Sequence, residues 1–311
     1  MKTFFLRLLG FGAFTALMWV VTFFACSHSF SLEYHLIGEE TNWGYTNLRS
    51  NEWVATSDTH TDAIFLGSST CYSGINPKAL EPYGLSGFNF CSSAQNVGNS
   101  NYILKAVLDE VSPKFVILDV YPLIWGAKEV RLESTKDWVS NSNLRGNGWS
   151  KIYRQMAWES QDLFTLVQTI YYDAIRPNRK AGSNPDLDAD VHGTYRGLGW
   201  VERTFPPIDS IECETKRVEL SAYEANAIKS IRQNCEKKGV KLIILNPPQL
   251  CEEEFDMPAC FAGLSYIDGN QWPGAKTPQN YYDDHHLVGL GARQYSDWLA
   301  SKILEFHHAH P

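Results

Sequence analysis

Nowhere in the 311 residues do Lys and Arg gather into a run, and the formal net charge is −8. A nucleic-acid surface needs a concentrated positive footprint, so that class of partner is not expected. The seven cysteines contain no CxxC pair and their spacing fits no zinc site. His307, His308 and His310 crowd the C-terminus, where a solvated cluster is expected rather than a metal centre. Internal repeats and low-complexity tracts are also missing. What is plentiful is apolar and aromatic side chain, enough for a packed core in one large domain or two small ones.

One apolar run is long. From Leu8 to Cys26 the chain carries no charge, and only Thr15 and Thr22 break it. As a helix it would reach about 28 Å, enough to cross a bilayer. Lys2 and Arg7 precede it and Glu33 is the next charged side chain, so the positive-inside rule places the N-terminus in the cytoplasm and the rest outside. A cleaved signal peptide is the alternative, but the run exceeds the usual apolar core of such peptides and FFACSH is a poor cleavage site. Cys26 does not read as a lipoprotein cysteine, because Phe23 and Phe24 stand where an aliphatic and then a small residue are wanted. With the body outside, cysteines can pair. Cys251 with Cys260, bracketing a short acidic loop, is the first expectation; Cys213 with Cys235 and Cys71 with Cys91 are the others.

Residues 1–30 therefore form an anchor, and residues 31–60, polar and aromatic without period, are expected to be a stalk. Beyond it, DAIFLG (62–67), SGFNFCSS (86–93), KFVILDVYP (114–122) and GVKLIILNPP (239–248) read as strands. Asn99–Glu110 reads as a helix with Tyr102, Ile103, Val107 and Leu108 inward, Leu220–Lys238 as a second, and Leu287–Phe306 as a last with Leu290, Tyr295, Trp298, Leu299, Ile303 and Leu304 inward. Alternating strands and helices imply a parallel sheet covered on both faces. Residues 123 to about 210 break the rhythm and are expected to be an insertion over the sheet's active edge, with one long helix near Lys151–Ile175. In such a sheet the turns after Leu66, Phe90, Val120 and Leu245 share a crevice with the loop before Leu287.

Candidate chemistry falls on those turns. Gly67-Ser68-Ser69 follows the first strand, and Asp283-x-x-His286 precedes the last helix. A hydroxyl needs a base within reach to act as a nucleophile, and the base needs a carboxylate to fix its tautomer. Ser69, His286 and Asp283 supply the three, with Ser68 expected to point back into the turn. Ordinary helix capping explains either motif alone, and a swap within Asp283-Asp284-His285-His286 stays open. Tyr121 and Trp125 after the third strand, and Asn246 after the fourth, are candidates for a sugar platform; Asp119 is expected to be buried and hydrogen-bonded.

GSS followed by YSGINP, then GLSGFNFCSSAQ, FVILDVYP and YYDDHHLVGLGA, resembles the blocks of the SGNH or GDSL hydrolase superfamily, particularly its membrane-anchored bacterial branch in which GSS replaces GDS. The resemblance implies a flavodoxin-like three-layer α/β/α sandwich with Ser69 as nucleophile, His286 as base and Asp283 as its partner. It also implies an esterase or O-acyltransferase acting on acyl, chiefly acetyl, esters of cell-envelope or exported polysaccharide. No metal or cofactor is called for, and a membrane-bound O-acyltransferase becomes a candidate partner. The chain departs from the family pattern in its middle blocks. Ser93, Ala94 and Gln95 stand in the first and Asp119, Val120 and Tyr121 in the second, so no Asn occupies the oxyanion-donor position; the Ala94 amide and the Gln95 side chain are the substitutes. That departure keeps a second expectation alive, a non-catalytic sandwich that binds a glycan or a membrane partner.

Overall fold

The computed structural model describes residues 2–30, 45–56, 60–146, 148–175, 192–213, 215–218, 220–251, 253–254 and 261–308. It divides into two compact units, Met1–Thr41 and Asn42–Pro311. The first holds α1 (Lys2–Phe30), whose segment Lys2–Thr22 has a mean hydropathy of 1.9 and is nowhere buried. By length and composition this helix can cross a membrane.

The second unit is α/β. Its sheet strands are β1 (Ala63–Leu66), β2 (Gly87–Asn89), β3 (Phe115–Asp119), β6 (Lys241–Asn246) and β7 (Ser265–Asp268), while β4 (Gly193–Gly197) and β5 (Trp200–Arg203) form a separate hairpin. All neighbours run parallel, in the order β2-β1-β3-β6-β7. Strand period two splits their side chains between faces. Phe65, Ile117, Ile243, Leu245 and Ile267 join Tyr295, Leu299 and Ile303 in one core. Ile64, Val116, Leu118, Leu242 and Ile244, equally buried, point to the other side. The fold is thus the flavodoxin-like sandwich, and its strand order reverses direction between β1 and β3. That switch point is where ligands collect in such sheets.

The covering helices obey local signals. In chain order they begin with α2 (Thr46–Thr56), α3 (Ser69–Gly74) and α4 (Val97–Glu110); Asn96 and Asn99 form a reciprocal capping box at the start of α4. Then come α5 (Leu132–Asn141), α6 (Trp149–Glu159) and α7 (Leu163–Ile175). Next, α8 (Ala222–Lys238) starts on a Ser221–Glu224 capping box and stops at Gly239, whose φ of 68° suits the left-handed cap. The last is α9 (Gly289–His308). Helices α4 and α8 pack together, and α9 packs on α3.

Several expectations need correction. Residues 46–56 are no stalk: α2 buries Trp53 against Phe88 and Phe90, with ring centroids 4.9 and 4.7 Å apart, and Trp53 Nε1 donates to Glu110 at 2.7 Å. Arg49, fully buried, donates to the Gly199 carbonyl at 3.0 Å. The remaining stalk residues, 31–44 and 57–59, lie outside the described residues. The single helix expected near Lys151–Ile175 is two, α6 and α7, broken at Ser160–Asp162, where Asp162 accepts from Thr165 at 2.7 Å. Residues 123–210 also contain α5 and the antiparallel hairpin β4 (Gly193–Gly197) and β5 (Trp200–Arg203). Trp138 and Trp149 stack on Phe90 at 6.3 and 6.0 Å, tying that region to the strand edge. Strand β7 carries no apolar run in the sequence, since only Ile267 of its four residues is buried. Leu290 is 62% exposed, so it is not on the inner face of α9.

Cys71 pairs with Cys91 as expected, but Cys251 pairs with Cys213 and not with Cys260, and Cys235 is a buried free thiol. Proximity along the chain favoured Cys260; the path of residues 210–213 past the loop after β6 decides otherwise. Cys260 lies outside the described residues.

Candidate active site

Ser69 opens α3 immediately past β1. Gly67 before it is required by packing: a Cβ there would stand 2.5 Å from Asp119 Cβ at the end of β3. Ser68 is fully buried, its Oγ 3.1 Å from Thr70 Oγ1, which in turn donates to Asp119 Oδ2 at 2.6 Å. The first serine therefore serves the turn, and only Ser69 reaches the cleft.

From the other end of the chain, Tyr281 bridges Leu287 antiparallel, and the Tyr282 N–H donates to the His286 carbonyl at 3.1 Å. This closes a tight loop over residues 282–286. Asp283 Oδ1 accepts the N–H groups of His285 and His286 at 2.9 and 2.7 Å, while Oδ2 lies 2.6 Å from His286 Nδ1. His286 Nε2 is 2.7 Å from Ser69 Oγ. The hydroxyl, imidazole and carboxylate expected from sequence are thus one hydrogen-bonded chain across 217 residues of sequence. The alternatives inside the run separate cleanly: Asp284 takes His285, Nδ1 to Oδ1 at 2.5 Å.

The electrostatics suit a base. Burial pushes the His286 pKa down, the Asp283 hydrogen bond and charge pull it up, and the charges of His285 and Arg203 push it down; the net value is below the usual imidazole range. For Asp283 burial acts upward, but the hydrogen bond and charge of His286 and the charge of His285 outweigh it, leaving the carboxylate ionised below its usual range. Asp119 goes the other way: burial raises it to about 7 against bonds from Thr70 and Tyr121.

Ser69 and His286 line a cleft of about 390 Å³ with Tyr72, Ser93, Ala94, Trp125 and Arg203, among others. Ala94 has φ 49°, the left-handed region costly for a residue with a Cβ. Its N–H and that of Ser69 meet no acceptor among the described residues. Ser93 is buried at the rim of the same turn.

Three sequence candidates take other roles. Gln95 is not an oxyanion donor: it is fully buried, its Oε1 accepting from Ser92 and Trp138 at 3.0 Å each and its Nε2 donating to Ser100 at 3.1 Å. Asn246 does not line the cleft; it donates to Asp268 across the β6–β7 edge at 3.4 Å. Tyr121 is buried and stacks on His285 at 4.5 Å, so it supports that ring instead of offering a platform. Asp283, His285 and His286 bring ligand-capable atoms within 4.8 Å of one another; Nδ1 of each histidine is already paired with a carboxylate, His285 with Asp284 and His286 with Asp283.

Arg203 and Tyr282 were not legible. Arg203, buried at the end of β5, donates to the Tyr72 hydroxyl at 3.2 Å. Tyr282 lies parallel to the His286 ring at 5.2 Å. Arg203 sits in a polar-aromatic stretch with no motif, and Tyr282 was hidden as one aromatic among many.

A larger groove of about 1000 Å³ runs along α6 past Tyr102, Arg154, Trp158 and Leu163 and shares no residue with the Ser69 cleft. Comparison with protein-family models gives no match, and comparison with curated proteins gives none either.

Proposed function

We propose that this chain is a membrane-anchored serine esterase or O-acyltransferase that works through an acyl group carried on Ser69. The observation that carries the reading is the unbroken chain Ser69 Oγ, His286, Asp283, with contacts of 2.7 and 2.6 Å. Neutral His286 accepts the hydroxyl proton through Nε2 while the Asp283 carboxylate holds the Nδ1 proton and steadies the imidazolium that forms. Ser69 Oγ attacks the ester carbonyl. The N–H groups of Ser69 and Ala94, two residues that line the cleft, are the donors this reading assigns to the oxyanion, and the left-handed backbone at Ala94 supports that role. Collapse expels an alcohol and leaves the acyl group on Ser69; water or a second alcohol then repeats the sequence in reverse.

The resemblance to the SGNH/GDSL blocks supports acetyl esters of envelope or exported polysaccharide as the substrate class. The apolar α1 and the charges around it support an extracytoplasmic catalytic unit. The disulfides Cys71–Cys91 and Cys213–Cys251 fit an oxidising compartment.

A second reading rests on Gln95. With its amide consumed internally, Gln95 offers the oxyanion no donor, and one missing donor typically costs about 10²–10³ in rate. A degenerate sandwich that binds a glycan or a membrane partner would share this feature. Fluorophosphonate labelling of the detergent-solubilised full chain separates the two. Labelling that disappears in Ser69→Ala and persists in Ser68→Ala supports the enzyme, whereas no labelling of the folded unaltered protein supports the binder.

A further inference from the structure

Half of the Asp283-Asp284-His285-His286 run is unused by the chemistry above, and that half repeats the arrangement of the first. His285 Nδ1 is 2.5 Å from Asp284 Oδ1, which leaves Nε2 as the other ring nitrogen. Among the described residues no hydrogen bond engages Nε2. The ring is stacked on Tyr121 with planes 15° apart and has its centroid 3.9 Å from that of His286. It lines the same cleft as Ser69. A histidine that only packed against Tyr121 would need no carboxylate on Nδ1; that pairing fixes the tautomer and makes Nε2 a proton acceptor or donor.

We infer that the His285–Asp284 pair is a second proton-transfer group and that its Nε2 marks the subsite for the alcohol oxygen, both of the departing ester alcohol and of the incoming acceptor. The inference rests on the reading of Ser69 as acyl carrier. The cycle starts with His286 neutral and His285 as imidazolium. In the first half-reaction the Ser69 proton passes to His286, the Oγ–C bond forms, the C–O bond to the departing alcohol breaks, and that oxygen takes the proton of His285. The acyl-enzyme then holds imidazolium at His286 and neutral imidazole at His285. In the second half-reaction the acceptor hydroxyl gives its proton to His285 and bonds to the acyl carbon, the Oγ–C bond breaks, and His286 returns its proton to Ser69. Protons and charge balance, and the pair never carries more than one extra proton. Two adjacent imidazoliums, which their closeness would penalise, are thereby avoided. Trp125, in the same cleft, supplies an aromatic wall suited to a sugar bearing that hydroxyl.

The test is a split between half-reactions in the full chain. Fluoride leaves a fluorophosphonate without needing a proton, and p-nitrophenolate leaves p-nitrophenyl acetate almost as freely. His285→Ala is therefore expected to keep fluorophosphonate labelling and the p-nitrophenol burst while steady-state hydrolysis falls about a hundredfold. Acetyl-Ser69 should then accumulate in the intact mass. Added imidazole should restore turnover in His285→Ala, and Asp284→Asn should show the same accumulation in weaker form. Unchanged steady-state turnover in His285→Ala, or equal loss of burst and turnover without imidazole rescue, would overturn the inference while leaving Ser69 as nucleophile. Absence of labelling in the unaltered chain would bring down the serine-ester reading and this inference together.

Discussion

Replacing Asp283 by Asn tests the site at its most constrained point. Asp283 Oδ1 holds two backbone N–H groups, of His285 and His286, at 2.9 and 2.7 Å, and Oδ2 faces His286 Nδ1 at 2.6 Å. The Asn oxygen can occupy only one of these places. If it stays under the two N–H groups, the amide NH₂ points at Nδ1 and forces that nitrogen to accept. The imidazole proton then sits on Nε2, facing Ser69 Oγ, and the base is switched off. Flipping the amide would restore the tautomer but strand two N–H donors, at about 1–3 kcal/mol each. The unproductive orientation therefore wins. In serine acyl transfer a wrong-tautomer histidine costs about 10⁴ in rate, or ~5.5 kcal/mol of barrier. The fluorophosphonate labelling rate of Asp283→Asn should fall by that order while its thermal unfolding stays close to that of the unaltered protein. Labelling at the unaltered rate by a folded Asp283→Asn protein would refute the role of this carboxylate.

Three further outcomes are expected. Because burial, partly countered by Asp283, holds His286 below the usual imidazole range, the base stays neutral into mildly acidic solution. The labelling rate should thus fall only as pH drops through that lowered value, and an acid limb above the ordinary range in a pH–rate profile would contradict the assignment. Cys71→Ala with Cys91→Ala opens a link of sequence separation 20, worth about 3 kcal/mol by loop entropy. Since Cys71 lies in the Ser69 helix and Cys91 just before the Ala94 turn, calorimetry should show a lower Tm and labelling should slow as well. Trp53→Ala should destabilise by about 3–5 kcal/mol, as for a core tryptophan, where a stalk residue would shift stability by no more than about 0.5 kcal/mol; denaturant unfolding decides between them.

Much of the sheet was readable because its signals are local. The apolar blocks around Ala63–Leu66, Phe115–Asp119 and Lys241–Asn246 are strands buried on both faces, and such runs need no partner to be recognised. The capping boxes at Asn96 and Ser221 mark helix starts for the same reason. Where the signal weakened, reading failed: β7 contributes a single buried apolar residue, and Trp53 looks no different in sequence from an exposed tryptophan until Phe88 and Phe90 are brought beside it. Gln95 had the right chemistry for an oxyanion donor but is spent on Trp138 and Ser100, neighbours that only folding supplies.

By itself the sequence determined the helix long and apolar enough to cross a membrane, the parallel α/β class and the residue types of the candidate site, because hydrophobic period, turn chemistry and the ordered positions of GSS and DDHH are properties of short segments. Tertiary structure alone decided which imidazole meets Ser69 and which cysteines pair. Those are choices between chemically equal neighbours, and only long-range contacts, such as the 282–286 loop closing beside the end of β1, can break the tie.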